Sequence, residues 1–270
     1  MVIVLVLIGF IFISISYFVL HHRFEQSQVT VSTSPRGGVG WVEAVVVVDN
    51  TPSLSNSNLL TAWGLSIYIR IPDMEILFDT GPSPNVLRYN AERLGVNLSR
   101  IDVVVLSHEH GDHVGGLQAL NANSVAVYGA PGTPANRVVN NTLEISPGIY
   151  ILKPLYGPPW ETSLLINVNG YGGILFVGCS HPGIVNIVQN AVKIARVKTV
   201  IGGLHLAGAS EEECISIVEK LKALGVEKIG AIHCSGDTIR NILAKENMLL
   251  NIHVGSRIMV SKEGGAFIIN

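Results

Sequence analysis

The hydrophobic pattern divides the chain into three stretches of different character. Met1 to Leu20 contains no charged side chain and is dominated by Val, Ile, Leu and Phe. Residues 25 to 40, with Gln26-Ser27-Gln28, Ser32-Thr33-Ser34-Pro35 and Arg36-Gly37-Gly38, show no hydrophobic period of either kind. From residue 42 onward, short Val- and Ile-rich runs alternate with amphipathic stretches. Their β-branched enrichment and turn punctuation predict strands over 42–48, 63–70, 75–78, 102–106, 125–128, 163–168, 174–177, 198–202, 228–232, 250–254, 257–260 and 266–269. Helices are predicted over 84–94, 113–121, 183–196, 210–224 and 236–246. The fourth helix is the best marked. Ser210 and Glu213 form a capping box, Cys214, Ile217, Val218, Leu221 and Leu224 share one face, and Gly225 ends it. Two early strands, a helix and then a β-α-β series predict an α/β fold, a mixed-sheet sandwich with helices outside.

A run of about 20 apolar residues is long enough to cross a bilayer as a helix. A cleaved signal peptide opens with Lys or Arg and closes on small residues, and neither precedes His21-His22-Arg23. Residues 1–22 are therefore expected to be a retained single-pass transmembrane anchor, with His21 and His22 at the interface. Residues 23–41 are expected to be a linker and 42–270 one domain, long enough for a proper core. Arg23 follows the span and only the α-amino group precedes it, which places the domain on the cytoplasmic side.

Composition narrows the partners. Charged residues are 14% of the chain, against roughly 25% in an average soluble protein. The net charge is −2 and no basic block exists, so no nucleic-acid partner is expected. Three cysteines make no disulfide framework and fit a reducing compartment. Cys214 falls on the apolar face of its helix and reads as core. Cys179 and Cys234 each lie within two residues of a histidine that could bind metal.

The chemistry concentrates in Ser107-His108-Glu109-His110-Gly111-Asp112-His113, directly after the apolar run Asp102 to Leu106. A turn at a strand end can project His108 and His110 to one side and return Asp112 and His113 to the other. Imidazole nitrogen and carboxylate oxygen in that arrangement suit two adjacent divalent ions, zinc first, with iron or manganese as alternatives. His181, His205 and His233 also follow apolar runs closely, and strand ends on a common rim are where rigid scaffolds hold catalytic groups. His253, inside an apolar run away from any motif, reads as structural.

His-x-His-x-Asp-His after a hydrophobic strand resembles the signature of the metallo-β-lactamase superfamily. Asp79-Thr80-Gly81, Glu161-Thr162-Ser163-Leu164, Gly178-Cys179-Ser180-His181, Gly202-Gly203-Leu204-His205 and His233-Cys234-Ser235-Gly236 extend the likeness over residues 42 to 270. Together they are similar to a branch described as 7,8-dihydropterin-6-methyl-4-(β-D-ribofuranosyl)aminobenzene-5′-phosphate synthase-like. The resemblance implies a four-layer αββα sandwich with two metals at its edge. It implies His108 and His110 on the first metal, Asp112 and His113 on the second, and His233 as the last ligand. Here the chain departs from the pattern: Glu161 stands where a ligand histidine is usual, and Gly178-Cys179 replaces glycine-aspartate. His181 is the compensating ligand to expect. Cys179 is either a thiolate ligand or a small buried neighbour. Glu161 either binds metal, orients a ligand or caps Thr162 and Ser163. Asp79 is expected to accept a hydrogen bond from a ligand imidazole and fix its tautomer.

Asp112 and His205 are the residues expected to act on a small-molecule, phosphorylated substrate. Two metals with a shared water can hydrolyse an ester, lactone or phosphoester. The branch implies instead a transfer joining a dihydropterin methyl diphosphate to an aminobenzene ribose phosphate. A non-enzymatic metal-binding module is the third reading.

Overall fold

The structure is a computed structural model and describes residues 37–54, 56–120 and 125–269. The expected anchor, 1–22, and the linker up to residue 36 lie outside these residues. Among the described residues, no helix is long and apolar enough to cross a membrane.

The first strands are β1 (Trp41–Val48), β2 (Ser66–Ile71), β3 (Met74–Phe78), β4 (Val103–Leu106), β5 (Ala126–Gly129) and β6 (Arg137–Val138). They are followed by β7 (Leu143–Ser146), β8 (Ile149–Ile151), β9 (Leu155–Tyr156), β10 (Trp160–Glu161), β11 (Leu164–Val168) and β12 (Gly172–Val177). The last are β13 (Val197–Gly203), β14 (Lys228–Ile232), β15 (Arg257–Ser261) and β16 (Gly265–Ile269). The helices are α1 (Pro84–Arg93), α2 (Gly111–Val114), α3 (Ile184–Ala191), α4 (Glu211–Ala223) and α5 (Asp237–Lys245).

One sheet has the order β16-β15-β1-β2-β3-β4-β5-β6, the other β14-β13-β12-β11-β8-β7, and β9 and β10 form a small ribbon. The central strands carry apolar side chains on both faces because both faces are covered. Between the sheets Val46, Ile67, Phe78, Ile166, Phe176 and Ile201 form one core, with the Phe78 and Phe176 rings 6.3 Å apart. On the outside of the first sheet Val45, Leu77 and Val104 meet Leu87 and Ala91 of α1. On the outside of the second, Leu175, Val200 and Ile229 meet Val188 of α3, Leu221 of α4 and Leu243 of α5. The layers are therefore α-β-β-α.

Strand direction explains where the polar motifs meet. β3, β4 and β5 run parallel, as do β12, β13 and β14. The carboxyl ends of each set lie together, and those ends lead into Asp79, Ser107 to His113, Gly178 to His181, His205 and His233.

Two predicted elements are corrected. The helix expected over 113–121 is a single turn, α2, followed by a short 3₁₀ turn at Leu117–Ala119. Its break has a steric cause: a Cβ on Gly115 would lie 2.2 Å from Pro82 O, and one on Gly116 1.9 Å from Thr80 O. Only glycine allows the metal-motif loop and the loop after β3 to approach this closely. Residues 250–254 are not a strand. Leu250, Ile252 and Val254 are buried in alternation, but only Leu250 N reaches a strand, donating to Ile229 O of β14 at 2.8 Å. His253 N donates to Ser256 Oγ and Val254 N to Thr51 O. The short strands β6 to β10 carry too few residues to show a period, and the sequence reading left them out.

Candidate metal centre

Asp79 organises the first half of the site. It is fully buried. Its Oδ1 accepts the Ser107 N–H at 2.7 Å, and its Oδ2 accepts the Ser107 hydroxyl at 2.7 Å. The same Oδ2 lies 2.7 Å from His113 Nδ1. Ser107 Oγ, having donated its proton, accepts from His108 Nδ1 at 2.9 Å. With Nδ1 protonated on both His108 and His113, each Nε2 lone pair faces inward. This is how outer partners fix a ligand imidazole.

The inward atoms converge. His108 Nε2 lies 3.1 Å from His110 Nδ1, and the His181 ring is 4.8 Å from that of His108 and 4.9 Å from that of His110. On the other side His113 Nε2 is 3.2 Å from His233 Nε2. Asp112 Oδ2 is 3.3 Å from His233 Nε2 and 3.7 Å from His113 Nε2. Cys179 Sγ sits 3.2 Å from His113 Nε2. Ligand atoms of His108, Cys179 and His181 lie within 4.8 Å of one another, as do those of His113, Cys179 and His233. The residues fit a pair of metal ions on chemical grounds. Donors 3.1–3.3 Å apart have roughly the spacing of two ligands each about 2.0–2.1 Å from one zinc, and His181 Nε2 is buried without a hydrogen-bond partner.

Glu161 is placed to hold the loop that carries Cys179 and His181. Its Oε1 accepts the N–H groups of Gly178, Cys179 and Ser180 at 3.1, 3.0 and 2.8 Å, and Oε2 that of His181 at 2.8 Å. Four consecutive amides occupy the carboxylate, so it orients the loop and does not cap Thr162 and Ser163. Burial raises its carboxyl to about 7, against the pull of the Ser180 and His181 amides.

Asp49 and Asn50 do the same for His233, and the sequence reading missed both. Asp49 Oδ1 accepts the His233 N–H at 2.8 Å and Asn50 Nδ2 donates to His233 O at 3.3 Å. The signal was available: Asp49-Asn50 closes an apolar strand, as Asp79 does. Ser107, at the start of the histidine run, is a third such partner with no signal of its own in the sequence.

Four residues at the rim, Asp79, Ser180, His205 and His233, have φ between 54° and 63°. Left-handed backbone at a non-glycine residue costs on the order of 1–3 kcal/mol and persists only where surroundings impose it. Here the imposition is visible. Besides the bonds above, Ser180 Oγ donates to Gly203 O at 2.7 Å, and Ser235 Oγ accepts the Leu204 N–H at 3.1 Å.

Electrostatics separate the imidazoles. Burial and the neighbouring imidazoles lower His108 well below the usual histidine range. Burial, His205 and His110 take His181 down to about 4. His113 goes the other way: burial opposes its charge, but Asp79 outweighs burial and raises it. Asp112 is held near 2 by His233 and His113 against the effect of burial.

His110 and His205 are exposed, and each borders a cavity. One of about 430 Å³ is lined by Glu109, His110, Pro131, Tyr156 and Trp160 among others. The second, of about 490 Å³, is lined by Trp63, His205, Leu206, Glu213 and Cys234 among others. Among the described residues, no Lys or Arg lines either one. Trp63 packs 4.8 Å from the His233 ring, and Tyr156 lies 5.1 Å from Trp160, so aromatic side chains form both lips. A cavity of about 550 Å³ sits at the opposite ends of β3 and β4 and holds none of these histidines. Its Arg70 and Arg100 are paired with Glu43 and Glu75. His253 lies outside the cluster, its Nδ1 donating to Val254 O. Cys214 is fully buried on α4.

The sequence profile of the metallo-β-lactamase superfamily matches residues 64–135. A Methanocaldococcus jannaschii protein named 7,8-dihydropterin-6-methyl-4-(β-D-ribofuranosyl)-aminobenzene-5′-phosphate synthase is 30% identical over 71% of this chain and 87% of its own length. Among solved structures, a metal-dependent hydrolase of the β-lactamase superfamily is 25% identical, with a TM-score of 0.69, over 82% of this chain and 99% of that one. A diphosphatase of the PhnP family shares the fold, at 15% identity and a TM-score of 0.53, over 80% of this chain and 96% of that one.

Proposed function

We propose, from the premise that the chain belongs to the metallo-β-lactamase superfamily, that it is a hydrolase with two divalent transition-metal ions, zinc first. Its bond is an ester, lactone or phosphoester in a small molecule. The observation that carries this reading is the convergence of His108, His110 and His181 on one side and Asp112, His113 and His233 on the other, between two open cavities. Two divalent ions at this place supply Lewis acidity and lower the pKa of water to near neutrality. The protein's share is positional. Asp79 and Ser107 keep two Nε2 lone pairs aimed inward, and Glu161 holds the loop of Cys179 and His181. Asp112 stays ionised at neutral pH and orients the reacting water. His205, exposed beside the second cavity, is placed to give a proton to the leaving group.

The second reading, transfer between a dihydropterin methyl diphosphate and an aminobenzene ribose phosphate, rests on the 30% identical synthase. The cavity walls favour hydrolysis. A transfer brings two phosphorylated partners together, and among the described residues neither cavity offers a Lys or Arg to the phosphate that does not meet the metals. The test is one panel on zinc-loaded protein: a phosphodiester, a lactone, and the pterin diphosphate with and without its acceptor. Hydrolysis of a member without acceptor is expected. Turnover only when both transfer partners are present overturns the hydrolase in favour of the transferase, and no turnover at all leaves the metal-binding module. From the sequence alone, residues 1–22 are proposed to anchor the domain at the cytoplasmic face of a membrane.

A further inference from the structure

We infer that the group shared by the two metal positions is the thiolate of Cys179, so that the centre selects thiophilic ions over magnesium or manganese. The inference rests on the metal-dependent reading above and adds the identity of the bridge. Among the described residues Cys179 Sγ belongs to three ligand groups: one with His108 and His181, one with His113 and His233, and one with His205 and Cys234. The nearby carboxylates are otherwise engaged. Asp79 is filled by Ser107 and His113, and Glu161 by four amides. Asp49 accepts from His233 N and Thr51 N. Glu109 is exposed and lines the first cavity. Asp112 lies against His113 and His233 on one side only. Cys179 is 4% exposed, and Glu161 fixes its backbone N–H, so Sγ is held between the two sets.

Cys234 backs it without replacing it. Its Sγ points at Cys179 O, 3.7 Å away, and the ligand group it joins, with Cys179 and His205, contains none of His108, His113, His181 and His233. With metal bound, the Cys179 thiol would give up its proton to solvent and its sulfur would serve as a ligand to both ions. Soft thiolate favours zinc, iron or cobalt, whereas oxygen ligands suit magnesium and manganese.

The test uses the full chain loaded with Co²⁺ and followed by absorption spectroscopy and metal analysis. The wild-type protein should bind about two cobalt ions per chain and show a near-ultraviolet thiolate-to-cobalt charge-transfer band. Cys179→Ser should lose the band and retain about one ion or fewer. Cys234→Ser should keep both the ions and the band. Cys179→Asp, which restores an oxygen bridge, should keep the ions, lose the band and bind manganese better relative to cobalt; it also serves if the serine variant does not fold. Two bound cobalt ions without a band, or a band that survives in both Cys179 variants, overturns the thiolate bridge and leaves the metal centre standing. Failure to bind cobalt, zinc or manganese overturns the metal reading itself.

Discussion

Asp79 Oδ2 lies 2.7 Å from His113 Nδ1, and both side chains are out of contact with solvent. The same oxygen accepts the Ser107 hydroxyl that in turn holds His108, so one carboxylate sets the orientation of a ligand on each side of the centre. Asp79→Asn keeps the shape and removes the second acceptor. It is expected to weaken zinc binding by about 10–100-fold, read by competition with a chromophoric chelator. Affinity equal to wild type removes Asp79 from this role.

Glu161→Gln leaves one acceptor oxygen for four amides and turns an NH₂ group toward donors. A loss of about 1–3 kcal/mol of stability is expected from the unsatisfied groups, together with weaker metal binding through the loosened loop. Thermal denaturation and metal titration of the same preparation check both; an unchanged Tm contradicts the assignment.

His181 and His205 are neighbours, with rings 4.5 Å apart, yet their variants should differ. His181→Ala is expected to lose bound metal. His205→Ala is expected to keep it and to lose about 10²–10⁴-fold in kcat, the usual share of a general acid. Metal content measured alongside kcat separates the two; metal loss in the His205 variant makes that residue a ligand.

The metal-free protein should lose stability as pH falls from about 6.5 to about 4. His108 and His181 titrate lower in the fold than the 6.5 of a free histidine, His181 near 4. Between those values these two imidazoles bind more protons in the unfolded chain, which outweighs the opposite contribution of the single Glu161 carboxyl, raised to about 7 in the fold, so acid favours unfolding. His113, raised by Asp79, works the other way: its contribution is present below 6.5 and is lost as pH rises through its raised folded value. A fall of a few degrees in Tm from pH 7 to pH 5 is expected, smaller in His108→Ala and His181→Ala. A flat profile, or equal slopes in all three proteins, refutes it.

For the N-terminal run the expected result is carbonate-resistant sedimentation of the full chain with membranes, and a soluble protein when residues 1–36 are removed. Full-length protein with an intact N-terminus found wholly in the soluble fraction refutes the anchor.

Long or punctuated elements were legible in the sequence: β1, β13 and α4 announce themselves by period, caps and glycine stops. So did the histidine run, because ligand chemistry and a strand end coincide within seven residues. What failed has physical causes. Leu250 to Val254 shows the period of a strand because it buries alternate side chains, but a period does not say who takes the amides. Asp49 and Glu161 act through space on His233 and on the loop at Gly178, more than 180 and about 17 residues away. Such partners leave no local trace except a polar residue at a strand end. Gly115 and Gly116 broke a helix for a neighbour that becomes adjacent only on folding.

The left-handed backbone at Asp79, Ser180, His205 and His233 also constrains how this protein can change. Each of these turns aims its side chains in one direction, and a residue one place along the chain inherits neither the turn nor the aim. A ligand therefore cannot migrate by a single substitution, whereas Trp63, Tyr156 and Trp160, on the surface at the two lips, can be exchanged without disturbing the sheet. Divergence in what such a protein accepts is expected to be recorded in those lips, while the histidines stay where they are.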